Sequence, residues 1–432
     1  MSALTRGARF RRGRGMVLLG IVAALAAGLL SATDLPRRGW AADPATLDDA
    51  LPNALHGLPL RLADETPPAP AAAASEAMQG SPEARLLAVY RLIGRGRLDE
   101  ALVASGALVA QWPHFRLAQL VHADLLAARA GALGAWGGGQ GRELPGLLAE
   151  AQQRLAGWRA RPPAGAVPEE FAHLPAHVPY AIAVDTTHSR LYLFRNGPTG
   201  LRLEHDFYVS VGKQGVDKLV EGDQRTPLGI YFTTQHIDAS ALEDRFGVGA
   251  LPLNYPNAYD RARGRTGSGI LLHGVPRDTY ARPPLDSDGC VALANPDLLT
   301  LASHLPERDT PVLITRQIVW RAPQPASAGL PPAFAEAWGA WMAARQSADA
   351  RRLGGFYAPQ STLDRPARSR LQAPSPAKVA DTSLITWRDD RELVIVTFRE
   401  QLAGASSTSR LMRQYWGRDG EDWRIVAEGQ VR

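Results

Sequence analysis

The sequence predicts three kinds of fold in one chain: a helical N-terminal region, a mostly β, sandwich-like central domain, and an α+β, cone-like domain at the C-terminus. Three observations carry that division. Apolar residues recur at helical spacing between about 82 and 130. From about Pro179 the texture changes to short apolar runs punctuated by Gly and Pro. After about 330 one aromatic-rich helical stretch precedes a series of strand-like stretches. At 432 residues the chain has length for two or three domains of ~100–200 residues each.

Residues 1–42 read as an export signal or signal anchor. Arg6, Arg9, Arg11, Arg12 and Arg14 precede an uncharged apolar run from Met16 to Leu30, and small residues near Trp40-Ala41-Ala42 offer a cleavage point. The run is short of the ~20 apolar residues of a membrane span. Those five arginines also account for the whole formal charge of +5, so the rest of the chain is formally neutral. The basic balance therefore belongs to the leader and gives no argument for a nucleic-acid partner.

Residues 43–81, with Pro67-Pro68-Ala69-Pro70, read as linker. In the helical region, 82–165, Leu86, Leu87, Tyr90 and Leu92 lead to a Gly94-Arg95-Gly96 turn, and Leu98, Ala101 and Leu102 open the next helix. Pro113 separates that helix from a third, over Phe115 to Ala130. Paired helices with a glycine turn resemble a fragment of a tetratricopeptide-type repeat, and an ordinary helical hairpin fits equally well. In the central domain, Ala181–Val184 and Leu191–Phe194 flank a turn at Thr187-His188-Ser189 and predict a hairpin. Further runs at Phe207–Val211, Leu228–Phe232, Ile270–Val275 and Val312–Thr315 predict strands, and Asn295-Pro296-Asp297 predicts a helix start with Asn as cap. The last unit, 330–432, places Phe334, Trp338, Trp341 and Met342 on one helix face. Strands are expected over Thr382–Trp387, Leu393–Phe398 and Arg410–Trp416, with a turn at Asp419-Gly420 into Trp423–Ala427. A helix followed by a curved antiparallel sheet resembles a nuclear-transport-factor-like domain.

The chain holds one cysteine, Cys290, so it forms no internal disulfide. A buried small hydrophobe or a site of intermolecular pairing are two readings of it. The third is chemical. A thiol is mostly protonated near neutrality and needs a base in reach, and histidine has the pKa for the work. His273, seventeen residues earlier, sits at the end of a predicted strand, with Pro283-Pro284 and Asp286 in the loop between. Gly289 is expected to let the backbone approach a substrate carbonyl, and the Gly289 and Cys290 amides to donate to an oxyanion. Ser287 is expected to form the turn or bond to the site. His188, His205 and His236 read as satisfied or solvated side chains, and no metal-ligand spacing such as H-E-x-x-H is present.

The whole string is more specific than the spacing. His273-Gly274 followed by Ser287-Asp288-Gly289-Cys290-Val291 resembles the signature of the YkuD-type L,D-transpeptidases. Upstream, Tyr208-Val209-Ser210-Val211-Gly212-Lys213, Glu221-Gly222-Asp223, Thr226-Pro227-Leu228-Gly229-Ile230-Tyr231 and Leu253-Asn254-Tyr255-Pro256-Asn257 match blocks of that family in the same order. The resemblance covers about 179–316. It implies a peptidoglycan-modifying enzyme without metal or cofactor, whose partner is the stem peptide. Cys290 would be the nucleophile, His273 the proton carrier, Gly274, Ser287, Asp288 and Gly289 supporting groups, and Asn254, Tyr255, Arg277 and Arg282 substrate contacts. The implied reaction is attack on the bond between an L-diamino acid centre and D-alanine, with crosslinking or exchange as the outcome.

Two departures stand out. Ala292 occupies a position where many relatives carry Arg, and Asp288 one where His, Arg or Lys is frequent. The Ser-Asp-Gly-Cys-Val-Ala string with a cone-like C-terminal domain is similar to the branch that includes L,D-carboxypeptidases of helical bacteria, so trimming of tetrapeptides to tripeptides is the alternative. A non-catalytic wall-binding scaffold is the second. The helical and C-terminal regions are candidates for a protein partner.

Overall fold

The computed structural model describes residues 80–131, 141–322, 330–372, 374–388, 391–402 and 409–431. The expected leader, and the linker up to residue 79, lie outside the described residues. Among the described residues, no helix is long and apolar enough to cross a membrane. The chain divides into two compact units, 1–152 and 153–432.

In the first unit, α1 (Pro82–Gly94), α2 (Leu98–Gln111) and α3 (Arg116–Ala130) follow one another with tight turns. Ser81 caps α1, its Oγ accepting the Ala84 N–H at 3.2 Å. The Gly96 backbone takes the left-handed conformation (φ +72°) that lets the chain reverse into α2. α2 and α3 meet where Gly106 leaves room for His122, whose Nδ1 lies 2.9 Å from Ser105 Oγ. A fourth helix, α4, covers Leu144–Arg159.

The second unit holds the β-rich part. Its strands are β1 (Val167–Pro168), β2 (Tyr180–Asp185), β3 (Arg190–Gly197), β4 (Gly200–Gly212), β5 (Gly229–Phe232), β6 (Ile237–Asp238), β7 (Gly249–Pro252), β8 (Leu271–His273), β9 (Leu285–Ser287), β10 (Val291–Leu293), β11 (Pro311–Thr315) and β12 (Trp320–Arg321). Two helices interrupt them, α5 (Ala258–Ala262) and α6 (Asn295–His304). Ten strands form one sheet, nine of them along the path β5-β11-β2-β3-β4-β10-β8-β7-β6 and the tenth, β9, beside β4. The predicted hairpin is β2–β3, with Ile182 opposite Leu193. β2, β3 and β11 are buried over five of six, five of eight and all five residues, as strands covered on both faces must be.

The chain closes with α7 (Pro332–Ser347), α8 (Ala350–Gly354), β13 (Tyr357–Leu363), α9 (Arg365–Gln372), β14 (Ala377–Arg388), β15 (Glu392–Leu402), β16 (Ser409–Asp419) and β17 (Asp422–Gln430). These five strands form a second sheet in the order β13-β17-β16-β15-β14. The run Leu393-Val394-Ile395-Val396 explains its position. Along a strand alternate residues face opposite sides. Leu393 and Ile395 join the core of the central domain, and Val394 and Val396 pack with Phe334, Trp338 and Trp341 of α7. The sheet is therefore covered on both faces. Arg413 reinforces the junction: its guanidinium lies 3.2 Å from the Phe232 ring centroid and 2.7 Å from Asp309 Oδ1.

Candidate active site

His273 ends β8, and β10 begins one residue after Cys290. The two strands pair in parallel, Leu272 opposite Val291 and His273 opposite Ala292. Parallel neighbours cannot be joined by a tight turn, so residues 274–290 travel away and return, and β9 forms on the way beside β4. Strand alternation puts His273 and Ala292 on one face, with Cys290 two residues before Ala292.

His273 is buried, 4% exposed. Its Nδ1 lies 2.6 Å from the Gly274 carbonyl. A carbonyl only accepts, so Nδ1 carries the proton and Nε2 keeps its lone pair. The Phe246 ring meets the imidazole edge-on at 5.1 Å. Burial pushes the imidazole down to about 4; the Gly274 carbonyl opposes this, and the charges of Arg282 and Arg245 add to it. Cys290 is half-buried, and its Sγ donates to the Gly269 carbonyl at 3.3 Å. Burial raises the thiol; the Leu271 amide and the same two arginines work against the rise. At rest the pair is thus a neutral thiol and a neutral imidazole, not a thiolate–imidazolium pair.

Ser287 builds the turn that carries the cysteine. Its Oγ accepts the Gly289 N–H at 3.1 Å and donates to the Cys290 carbonyl at 2.6 Å. The Gly289 amide, expected to face an oxyanion, is thereby committed to Ser287. Gly289 also allows a close approach of the protein's own backbone. A Cβ there would stand 2.7 Å from the Arg225 carbonyl, and φ is +120°. Asp288 faces outward, held by Lys213 Nζ at 3.1 Å and Gln224 Nε2 at 3.2 Å; the Lys213 contact lowers its carboxyl.

Gly274 and Asn295 fix the other half. Asn295, expected to cap a helix, is instead the first residue of α6, whose N-cap is Ala294. Its side chain reaches back, Oδ1 accepting the Val275 N–H at 3.0 Å and the Val248 N–H at 3.3 Å, and Nδ2 donating to the Val275 carbonyl at 2.9 Å. A Cβ on Gly274 would sit 2.2 Å from that Oδ1. The glycine after the histidine is therefore required by Asn295 crossing over it.

Of the expected substrate contacts, Arg282 lies at the site. It donates to the carbonyls of Asp286 at 3.4 Å and Arg245 at 3.2 Å. Arg277 is largely solvated and pairs only loosely with Asp244 at 3.8 Å. Asn254 and Tyr255 are spent on packing. Asn254 Oδ1 accepts the Phe232 N–H at 2.9 Å, and Tyr255, 5% exposed, donates to the Thr266 carbonyl at 3.1 Å. Arg245, Phe246 and Asn295 were not legible as site residues, because nothing local in the sequence ties them to His273. Ala292 is buried between Ser210 and His273 in the sheet.

Comparison with known proteins fits this geometry. A sequence model of the YkuD family, described as the L,D-transpeptidase catalytic domain, matches residues 179–314. No curated protein matches the chain. Among solved structures, Bd1075 of Bdellovibrio bacteriovorus is similar at 21% identity and TM-score 0.50, over 62% of this chain and 98% of that one. The helical cell shape determining protein Pgp2 of Campylobacter jejuni aligns at 21% identity and TM-score 0.48, over 58% of this chain and 91% of that one. The matched span includes both His273 and Cys290, so residues 179–314 are similar to the L,D-transpeptidase catalytic domain of the YkuD family.

Proposed function

We propose that this chain is an exported cysteine enzyme of the cell envelope that acts on peptidoglycan stem peptides, at the bond joining the L-centre of a diamino acid to D-alanine. The observation that carries the reading is the buried His273, its Nδ1 satisfied by Gly274 and its Nε2 left with the lone pair, on the strand paired with the one that Cys290 leads into. Because both groups rest neutral, the thiol gives up its proton as it attacks. The sulfur adds to the carbonyl carbon, the proton passes to His273 Nε2, and the Cys290 amide donates to the oxyanion. Collapse forms the thioester and expels D-alanine, whose nitrogen takes the proton from His273. An incoming amine then releases the acyl group as a crosslinked or exchanged peptide.

Hydrolysis is the second reading, favoured by Ala292: the methyl group beside His273 offers no charge or hydrogen bond to hold a second stem peptide. Water would then deacylate the enzyme and leave a tripeptide. The test incubates the full-length chain with disaccharide-tetrapeptide and reads the products by mass spectrometry, with Cys290→Ala as control. Dimers or exchange with an added D-amino acid mean transpeptidation, and tripeptide alone means hydrolysis. No cysteine-dependent product would refute both and leave the scaffold reading.

A further inference from the structure

Further back along β4, away from the cysteine, two adjacent side chains of the strand meet a third from the end of α6. Glu204, His205 and His304 each offer one ligand atom, and these atoms all lie within 4.8 Å of one another. We propose that they bind a divalent transition ion of the zinc class.

Two local features build the cluster. His205 pairs with Leu193 and Leu203 with Phe194, which leaves Glu204 as the extra residue of a β-bulge. A bulge re-aims side chains, so two consecutive residues of one strand serve one site where a regular strand would send them to opposite faces. His304 is the last residue of α6, and its Nδ1 lies 2.8 Å from the Thr300 carbonyl. That bond fixes the tautomer with the proton on Nδ1 and keeps Nε2 as the coordinating nitrogen, the arrangement seen around metal-ligating histidines. The His205 and His304 rings lie 5.0 Å apart at 64°, and His205 stacks on Phe207 at 5.6 Å. Apolar rings thus limit how far the imidazoles can turn away.

Two imidazoles and one carboxylate suit a borderline ion and not magnesium or calcium, which take oxygen ligands. Tetrahedral zinc brings its ligands to ~3.3 Å of one another, so side-chain rotations of about an ångström close the set, with water as the fourth ligand. One competitor is present: Arg195 Nη2 lies 3.2 Å from Glu204 Oε1. Its side chain is 47% exposed, so it can leave. The site is separate from the reaction. Ser210, the partner of Ala292, is five residues along β4 from His205, which is roughly 17 Å of strand. Its effect is to clamp the end of α6 to β4.

Titration calorimetry of the full-length chain carrying Cys290→Ser tests this, because that substitution removes the thiol as a competing zinc ligand. One equivalent of Zn2+ is expected to bind at about micromolar Kd, with no heat from Mg2+. His304→Ala, His205→Ala and the conservative Glu204→Gln should each weaken binding about tenfold or more, while Arg195→Gln should tighten it. Zinc should raise the thermal midpoint of the parent and not of the two histidine variants. Absence of binding below about 100 µM, or binding that survives both histidine substitutions, would overturn the proposal.

Discussion

Asn295→Ala is the sharpest perturbation of the site that touches neither sulfur nor imidazole. The amide makes three hydrogen bonds to backbone groups of Val275 and Val248, and Val275 is 1% exposed. Truncation orphans the Val275 N–H and C=O together. A buried unsatisfied polar group costs ~1–3 kcal/mol, and a water entering the vacated space recovers part of that. The expected loss is about 2–4 kcal/mol, read as a lower urea midpoint at unchanged m-value. Turnover should fall further than stability explains, because the lost side chain packs against Gly274, whose carbonyl orients His273. We expect about tenfold or more off kcat/KM, carried by kcat. Asn295→Asp keeps the acceptor but sets an oxygen against the Val275 carbonyl, so it should also destabilise. An Asn295→Ala protein within about 0.5 kcal/mol of the parent and with full turnover would refute the reasoning.

Three other outcomes follow from the same structure. The His273 imidazole is depressed to about 4 from 6.5, so its contribution is complete above about pH 6.5 and is lost as pH falls towards 4. Between pH 7 and 4 the parent should lose about 2–3 kcal/mol more than His273→Gln, and equal acid losses would contradict a buried neutral imidazole. Burial raises the Cys290 thiol above its ordinary range, so the resting protein holds it protonated near neutrality. Alkylation of the resting protein should therefore keep rising beyond pH 9, and a plateau near neutrality would reveal an ion pair instead. Arg413→Ala removes the ion pair with Asp309, the stack on Phe232 and the 2.8 Å bond to Thr397 Oγ1. It should cost about 2–3 kcal/mol and uncouple the C-terminal sheet into a separate unfolding transition, whereas a single unshifted transition would count against this junction.

Much of the architecture was written in local pattern. Alternation and apolar runs are short-range properties, so β2, β3, β11 and β14–β17 could be read from residues a few positions apart, and so could α7 with its aromatic face. The string from His273-Gly274 to Gly289-Cys290 was legible for the same reason, because its parts lie close together in the chain. The bounds of β4, which starts at Gly200, and the strands β6, β7, β9 and β13 were not, since short or half-exposed strands acquire their pairing from partners elsewhere.

What the sequence determined by itself is the chemistry available: one thiol, a histidine on a strand end, and a turn that needs serine and glycine. Tertiary structure decided how that chemistry is held. Only folding brings Arg245 and Phe246 over His273, threads Asn295 across Gly274, and turns Asn254 and Tyr255 inward as packing. Only folding brings His304 to Glu204 and His205, across a hundred residues of chain. Such meetings rest on long-range packing and on the desolvation that shifts His273 and Cys290, and neither is encoded in any short window of residues.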